Sequence, residues 1–218
     1  MRTDLIHPDT GTLAAYAAGT LGDGMSLLVA GHLTFCPICR AKVAAMEHVG
    51  AHSFDIADPH DLAPDSLDRT LSMLDAPEEV YDPSEPSYDD NSPLPRVIQN
   101  AIGKPLDGLD WQFCLPGLHQ HELDGFEGES VAIIRARPGA QMLPHTHTGD
   151  EATLVLSGAM QDGNTIYRAG DVAQADHDDD HKPSIVGDET CYCLIVMDGG
   201  MHFTGRFSRA LNLFNRTA

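Results

Sequence analysis

With 218 residues and a formal net charge of −20, the chain is long enough for one large domain or two small ones, and its acidity disfavours DNA, RNA or an anionic membrane as a direct ligand. A basic or a small partner is expected instead. No run of 18 apolar residues and no apolar stretch in the N-terminal MRTDLIHPDT marks a membrane span or signal peptide, and five unevenly spaced cysteines do not make a disulfide framework, so a soluble, cytoplasmic chain with reduced thiols is expected.

Residues 1–80 read as a small helical domain, the more acidic part of the chain: there are 4 basic against 16 acidic residues up to position 95, and 9 against 17 beyond it. Apolar residues recur with helical spacing at Leu13, Tyr16 and Ala17, at Leu27, Leu28, Leu33 and Phe35, at Val43, Ala44 and Met46, and at Leu67, Leu71 and Leu74. That pattern predicts three to four helices. His32, Cys36 and Cys39 form H-x3-C-x2-C, and His7 can add a fourth donor from the start of the first helix. Pro37 forbids one helix through all three, because its ring would clash with the carbonyl of Leu33, so one helix ends near Phe35 and Pro37 opens the next. Both thiols then lie near a helix N-terminus, where the backbone dipole favours thiolate. Two thiolates and two neutral imidazoles fill a tetrahedral zinc shell without an open position, which describes a structural site. A redox dithiol would be expected after a strand in a βαβ setting, which this pair lacks, and an unligated core pair is the third reading. His48, His52 and His60 share no ligand spacing and read as surface residues.

Around residues 75–95, Pro77, Pro83, Pro86, Pro93 and Pro95 alternate with acids and almost no aliphatic side chains, which predicts a linker, placed at 81–95. From 96 to 218 short β-rich runs (Val131 to Ile134, Thr153 to Leu156, Thr165 to Tyr167, Cys191 to Val196) are separated by Gly, Asp and Pro turns, as in an all-β barrel or sandwich. Between Gly139 and Gly158 the chain reads GAQMLPHTHTGDEATLVLSG. On a strand His145 and His147 fall on one face, and Glu151 can return to it. Two imidazoles and a carboxylate suit Zn, Fe, Mn or Ni. Turn signals at Asp162-Gly163 and at Ala169-Gly170-Asp171 precede two further histidines, His177 and His181.

The spacing G-x5-H-x-H-x3-E-x6-G resembles the first conserved motif of the cupin superfamily. In that family the fourth ligand follows a glycine-containing turn and often precedes a proline within two residues. The resemblance therefore implies His181, in His181-Lys182-Pro183, with His177 as the alternative. Arg168-Ala169 stand where the family's second motif usually has proline before its glycine. Cys191 and Cys193 share one strand face and are either small core residues or an oxidation sensor. Phe203, Phe207, Leu211 and Phe214, interleaved with Arg206, Arg209 and Arg216, predict an amphipathic helix that covers one barrel end or docks on the acidic N-terminal domain. Trp111 is expected in the core.

HLTFCPICR in a small acidic helical domain, a proline-rich linker and a cupin together resemble the ChrR family of zinc-binding anti-sigma factors over nearly the whole chain. The resemblance implies a two-domain α plus all-β fold: a zinc-stabilised helical bundle followed by a cupin β-barrel, or double-stranded β-helix. It implies that His7, His32, Cys36 and Cys39 hold a structural Zn, and that His145, His147, Glu151 and His181 hold a divalent metal in the cupin, Zn or else Fe, Mn or Ni. It further implies a 1:1 complex with an extracytoplasmic-function sigma factor, repression without nucleic-acid contact, and release when an oxidative signal such as singlet oxygen reaches the cupin. No catalytic residue is expected. The rival class is a cupin-type dioxygenase with an accessory zinc domain, since three histidines and a glutamate leave an open position on an octahedral metal. Only Arg135 and Arg137 flank the motif as substrate-fixing candidates.

Overall fold

The structure, a computed structural model, describes residues 4–74 and 89–205. Asp9 starts the first helix, α1 (Thr10–Ala17): its carboxylate accepts the amide of Thr12 at 3.0 Å and the Thr12 hydroxyl at 2.6 Å. One of the donors that every helix start leaves unpaired is satisfied in this way. Helices α2 (Asp23–Phe35) and α3 (Pro37–Ile56) meet at Cys36, which is extended, with Pro37 opening α3 as the sequence predicts. The Cys36 thiol caps α3 by accepting the amide of Cys39 at 3.3 Å. A fourth helix, α4 (Ser66–Leu74), follows. Leu5, Leu13, Val29, Cys36, Cys39 and Val43 form the small core of this region.

Beyond residue 88 the chain is anchored at once. Leu94 is buried, and the Gln99 side chain bonds to the backbone of Asp89 and Leu94. Helix α5 (Arg96–Ile102) ends at Gly103 in the left-handed conformation. Among the described residues eleven strands follow: β1 (Gln112–Leu115), β2 (Leu118–Leu123), β3 (Ser130–Ala136), β4 (His145–His147), β5 (Glu151–Ser157), β6 (Ala159–Asp162), β7 (Thr165–Arg168), β8 (Val172–Ala175), β9 (Ser184–Ile185), β10 (Cys191–Met197) and β11 (Met201–Phe203). They pair antiparallel as a six-stranded sheet in the order β1-β2-β3-β10-β5-β8, a three-stranded sheet β7-β6-β9 and a pair β4-β11. The four β-rich runs of the sequence are β3, β5, β7 and β10. Phe203 closes β11 and does not open a helix; Phe207, Leu211 and Phe214, like positions 75–88, lie outside the described residues.

The helices sit directly on the barrel. Six consecutive residues of β5, Glu151 to Leu156, are buried, which a strand with one wet face cannot show. Ala152, Leu154 and Leu156 pack outward with Leu28 of α2 and Ile98 of α5, whereas Val155 joins Ala136, Met160, Cys191 and Cys193 inside. Helix α2 is therefore shared: Leu28 enters the core against the barrel and Val29 the core of the helices. Gly24 and Gly31, seven apart and so on one helix face, permit the approach. A Cβ on Gly31 would lie 2.8 Å from Leu154 Cδ2, and one on Gly24 2.6 Å from Val131 Cγ2. Glu129 closes the end of this interface by accepting the free amides of Gly24 (2.7 Å) and Met25 (3.2 Å) at the start of α2. Among the described residues no helix is long and apolar enough to cross a membrane.

Candidate metal centres

The junction of α2 and α3 brings Cys36 and Cys39 within one helical turn, and the last turn of α2 adds His32. The extended segment before α1 returns His7 to the same point. Donor atoms of His7, His32, Cys36 and Cys39 all lie within 4.8 Å of one another. His7 Nδ1 is 3.5 Å from Cys36 Sγ and 3.4 Å from Cys39 Sγ. His32 is fully buried, and its Nδ1 faces the carbonyl oxygen of Gly170 at 2.7 Å. A carbonyl only accepts, so Nδ1 carries the proton, and Nε2, buried without a hydrogen-bond partner, keeps its lone pair. Burial holds the His32 pKa below its usual value, so the ring is neutral. The Cys39 thiol is pushed up to about 11, first by burial and then by its contact with Cys36. At Cys39 desolvation thus outweighs the helix dipole, and a cation among these four donors would turn that sulfur into a thiolate. Two sulfurs and two imidazoles match a closed tetrahedral zinc shell.

The second cluster lies at one end of the barrel. Backbones of His145 and His181 exchange hydrogen bonds (3.1 and 3.0 Å), so the two residues stand opposite each other. His147 follows on the same face of β4, and Glu151 opens β5. Their donor atoms also lie within 4.8 Å of one another. His145 Nδ1 donates to the carbonyl of Leu143 at 2.8 Å, and His181 Nδ1 to Asp162 at 2.6 Å, which leaves both Nε2 atoms as acceptors. His147 Nε2 stands 3.0 Å from His181 Nε2 and 3.5 Å from Glu151. Ligands bound at about 2.1 Å and at right angles lie about 3.0 Å apart, so this spacing suits two positions on one ion. Burial, then the charges of His145 and His181, bring the His147 pKa down to about 4, and burial lowers that of His145. Burial also acts downward on His181, but the Asp162 hydrogen bond, with the charges of Asp162, Glu151 and Asp179, outweighs it and the value is raised. Burial raises the Glu151 carboxyl. Four donors packed at such electrostatic cost to one another form a set that a divalent cation would relieve.

His177 stands apart: it is exposed and faces Asp178 at 3.6 Å. Arg135 lies over the Trp111 ring at 4.4 Å, so it does not face the cluster. Trp111 itself packs half-buried against the core. Cys191 and Cys193 are buried with their sulfurs 3.6 Å apart. Asp162 went unmarked by the sequence beyond its Asp-Gly turn; its role of orienting His181 depends on a strand pairing that no local pattern announces. A cavity of 460 Å³ with Ile134, Met142, Met160, Ile195 and Met201 in its wall reaches His145 and Glu151.

Residues 100–199 match the family described as the ChrR cupin-like domain. Over 211 residues, 96% of this chain and 97% of the relative, the sequence is 33% identical to the anti-sigma-E factor ChrR of Cereibacter sphaeroides. This chain belongs to the ChrR family of anti-sigma factors. A chain in the crystal structure of Rhodobacter sphaeroides SigE in complex with the anti-sigma ChrR superposes with a TM-score of 0.75 at 30% identity, covering 88% of this chain and 98% of that one. In this chain the helices with their His/Cys cluster precede the antiparallel cupin-like domain over the span of that superposition. KdgF from a Halomonas species also matches, at a TM-score of 0.39 and 19% identity over 43% of this chain.

Proposed function

We propose that this protein is an anti-sigma factor that binds an extracytoplasmic-function sigma factor one to one and blocks its access to promoter and polymerase. A structural Zn on His7, His32, Cys36 and Cys39 holds the binding helices in shape. A divalent metal on His145, His147, Glu151 and His181, Zn or else Fe, Mn or Ni, belongs to the domain that receives an oxidative signal such as singlet oxygen. The units are those of the sequence: helices over 1–80, a connection at 81–95 and the cupin over 96–218.

The observation that supports this reading is an apolar surface left uncovered among the described residues. The distal half of α3, the segment after it and α4 expose Val49, Phe54, Ile56, Leu62, Leu67, Met73 and Leu74, each at least two-thirds accessible, and α4 buries no residue at all. Each such side chain gains about 1.5–3 kcal/mol on full burial, so a stable chain leaves so many exposed in order to bind. Acidic residues interspersed on the same elements, Asp55, Asp65 and Asp68, suit a basic partner, and a sigma factor must be basic to meet DNA. The structural Zn would supply charge and cross-linking to the helical domain, and the exposed helices do the binding.

Purification of the tagged full chain from its host, with mass spectrometry of what remains bound, tests the proposal. A sigma factor at equal stoichiometry, lost on zinc chelation and lost in Cys39→Ser, is the expected result. A chain without a protein partner that consumes oxygen would transfer the reading to a cupin dioxygenase.

A further inference from the structure

We infer that the barrel turn Arg168–Val172 is a working part of the N-terminal metal centre, so that metal binding in the helical domain and docking of that domain on the cupin are one coupled equilibrium. The inference rests on the proposal that His7, His32, Cys36 and Cys39 hold a metal. Two of those four donors are set by the turn. The Gly170 carbonyl fixes both the tautomer and the ring plane of His32 through the 2.7 Å bond to Nδ1. Ile6, next to His7, is held from both sides: its amide donates to Asp171 Oδ1 at 2.9 Å, and its carbonyl accepts the amide of Val172 at 3.0 Å.

The turn is built for this contact. Gly170 has φ +93°, and a Cβ there would stand 2.8 Å from Phe35 Cβ, so only glycine brings the carbonyl up to the end of α2. Asp171 is fully buried, and its second carboxylate oxygen accepts the amide of Arg168 at 2.7 Å. The turn is fastened in its turn to the cupin cluster's own strands. Gly170 N donates to Val155 O at 2.8 Å and Val155 N to Asp171 O at 3.0 Å, both on β5, which carries Glu151. Arg168 ends β7, whose pairing partner β6 carries Asp162, the acceptor for His181. The outer hydrogen bonds of one candidate centre are thus made by a loop fastened on the strands of the other. Hydrogen-bond partners of a ligating histidine are worth about 10- to 100-fold in metal affinity. By linkage, whatever factor docking adds to metal affinity, the metal adds to docking.

Titration of the full chain with Co²⁺ tests this, because the thiolate-to-cobalt charge-transfer band reports the cysteine centre and not the sulfur-free cupin cluster. Gly170→Ala and Asp171→Asn are expected to keep the band but to weaken cobalt binding about 10- to 100-fold. Gly158→Ala, whose added Cβ would meet Thr190 and Cys191 and not α2, is expected to leave it unchanged. Equal affinity in all four chains, or equal weakening by Gly158→Ala, would overturn the coupling while leaving the metal site intact; no band in the unmodified chain would remove the site and the coupling together. Should the turn variants not fold, amide exchange in the unmodified chain decides. One equivalent of thiophilic Cd²⁺ is expected to slow exchange at Ile6 and Val172, and protection confined to residues 7–39 would refute the inference.

Discussion

Gly139 and Gly158 bracket the histidine motif, both at positive φ (76° and 72°), yet they answer different constraints. Around Gly139 nothing lies within 4 Å of an added Cβ, whereas at Gly158 a Cβ would stand 2.8 Å from Cys191 Cα and 3.0 Å from the carbonyl oxygen of Thr190. Gly139→Ala should therefore cost only the left-handed penalty of about 1–2 kcal/mol. Gly158→Ala must also move the backbone of β10 and should cost more. Urea unfolding of the two variants checks the order, and equal losses would mean that β10 yields freely. At this scale the sequence was most readable where spacing equals geometry: two histidines two apart share a strand face whatever surrounds them. It was least readable where burial decides. The thiolate expected of Cys39 from its place at a helix start is cancelled by its surroundings, which no window of sequence contains. The partners Gly170 of His32 and Asp162 of His181 stand 138 and 19 residues away, so only the tertiary fold discloses them.

Among the elements, α3 and α4 make the sharpest contrast with α2. Helix α2 buries residues on two sides, and its sequence looks apolar rather than amphipathic; α4 has a strongly one-sided pattern and yet buries nothing. One-sidedness records that a face is meant to be covered, not by what. Phe54→Glu and Leu71→Glu should therefore leave the unfolding free energy of the free chain within about 0.5 kcal/mol of the unmodified value, as exposed positions do. The same variants should weaken the sigma-factor complex by about tenfold or more, a loss of at least about 1.4 kcal/mol. Calorimetry of the complex beside thermal unfolding of the free chain separates the two effects, and destabilisation of the free chain would assign this face to the fold. Strands were legible in the same measure. β3, β5 and β10 announce themselves as apolar runs because the barrel covers one face and helices the other. β2, reading LHQHEL, and the two-residue β9 owe their existence to neighbours and carry no such mark.

For the whole molecule, the decisive fact is that helices and barrel share a core through α2. A two-domain chain joined by an acidic, proline-rich segment invites the picture of two bodies on a tether, and composition alone supports it. Contact between the bodies depends instead on two glycines, Gly24 and Gly31, whose lack of a side chain is inconspicuous in sequence but lets α2 lie on β3, β5 and β10. Gly31→Leu tests how far that contact unites the molecule. The new side chain points at Leu154 and Ile98, and overpacking of this kind costs about 1–3 kcal/mol if the interface stays shut. Separation removes that cost, with Val29 kept in the core of the helices while Leu28, Met25 and Leu27 lose their partners on the barrel. The unmodified chain should unfold in a single cooperative transition, and Gly31→Leu in two, with a larger radius of gyration in solution scattering. Because the turn that holds His32 and Ile6 parts company with α2 at the same time, cobalt binding by the cysteine centre should weaken in this variant too, although none of the four donors has changed. One transition at unchanged radius would mean that the interface adapts by repacking Ile98; two transitions with undiminished cobalt affinity would show that the metal centre is indifferent to the barrel.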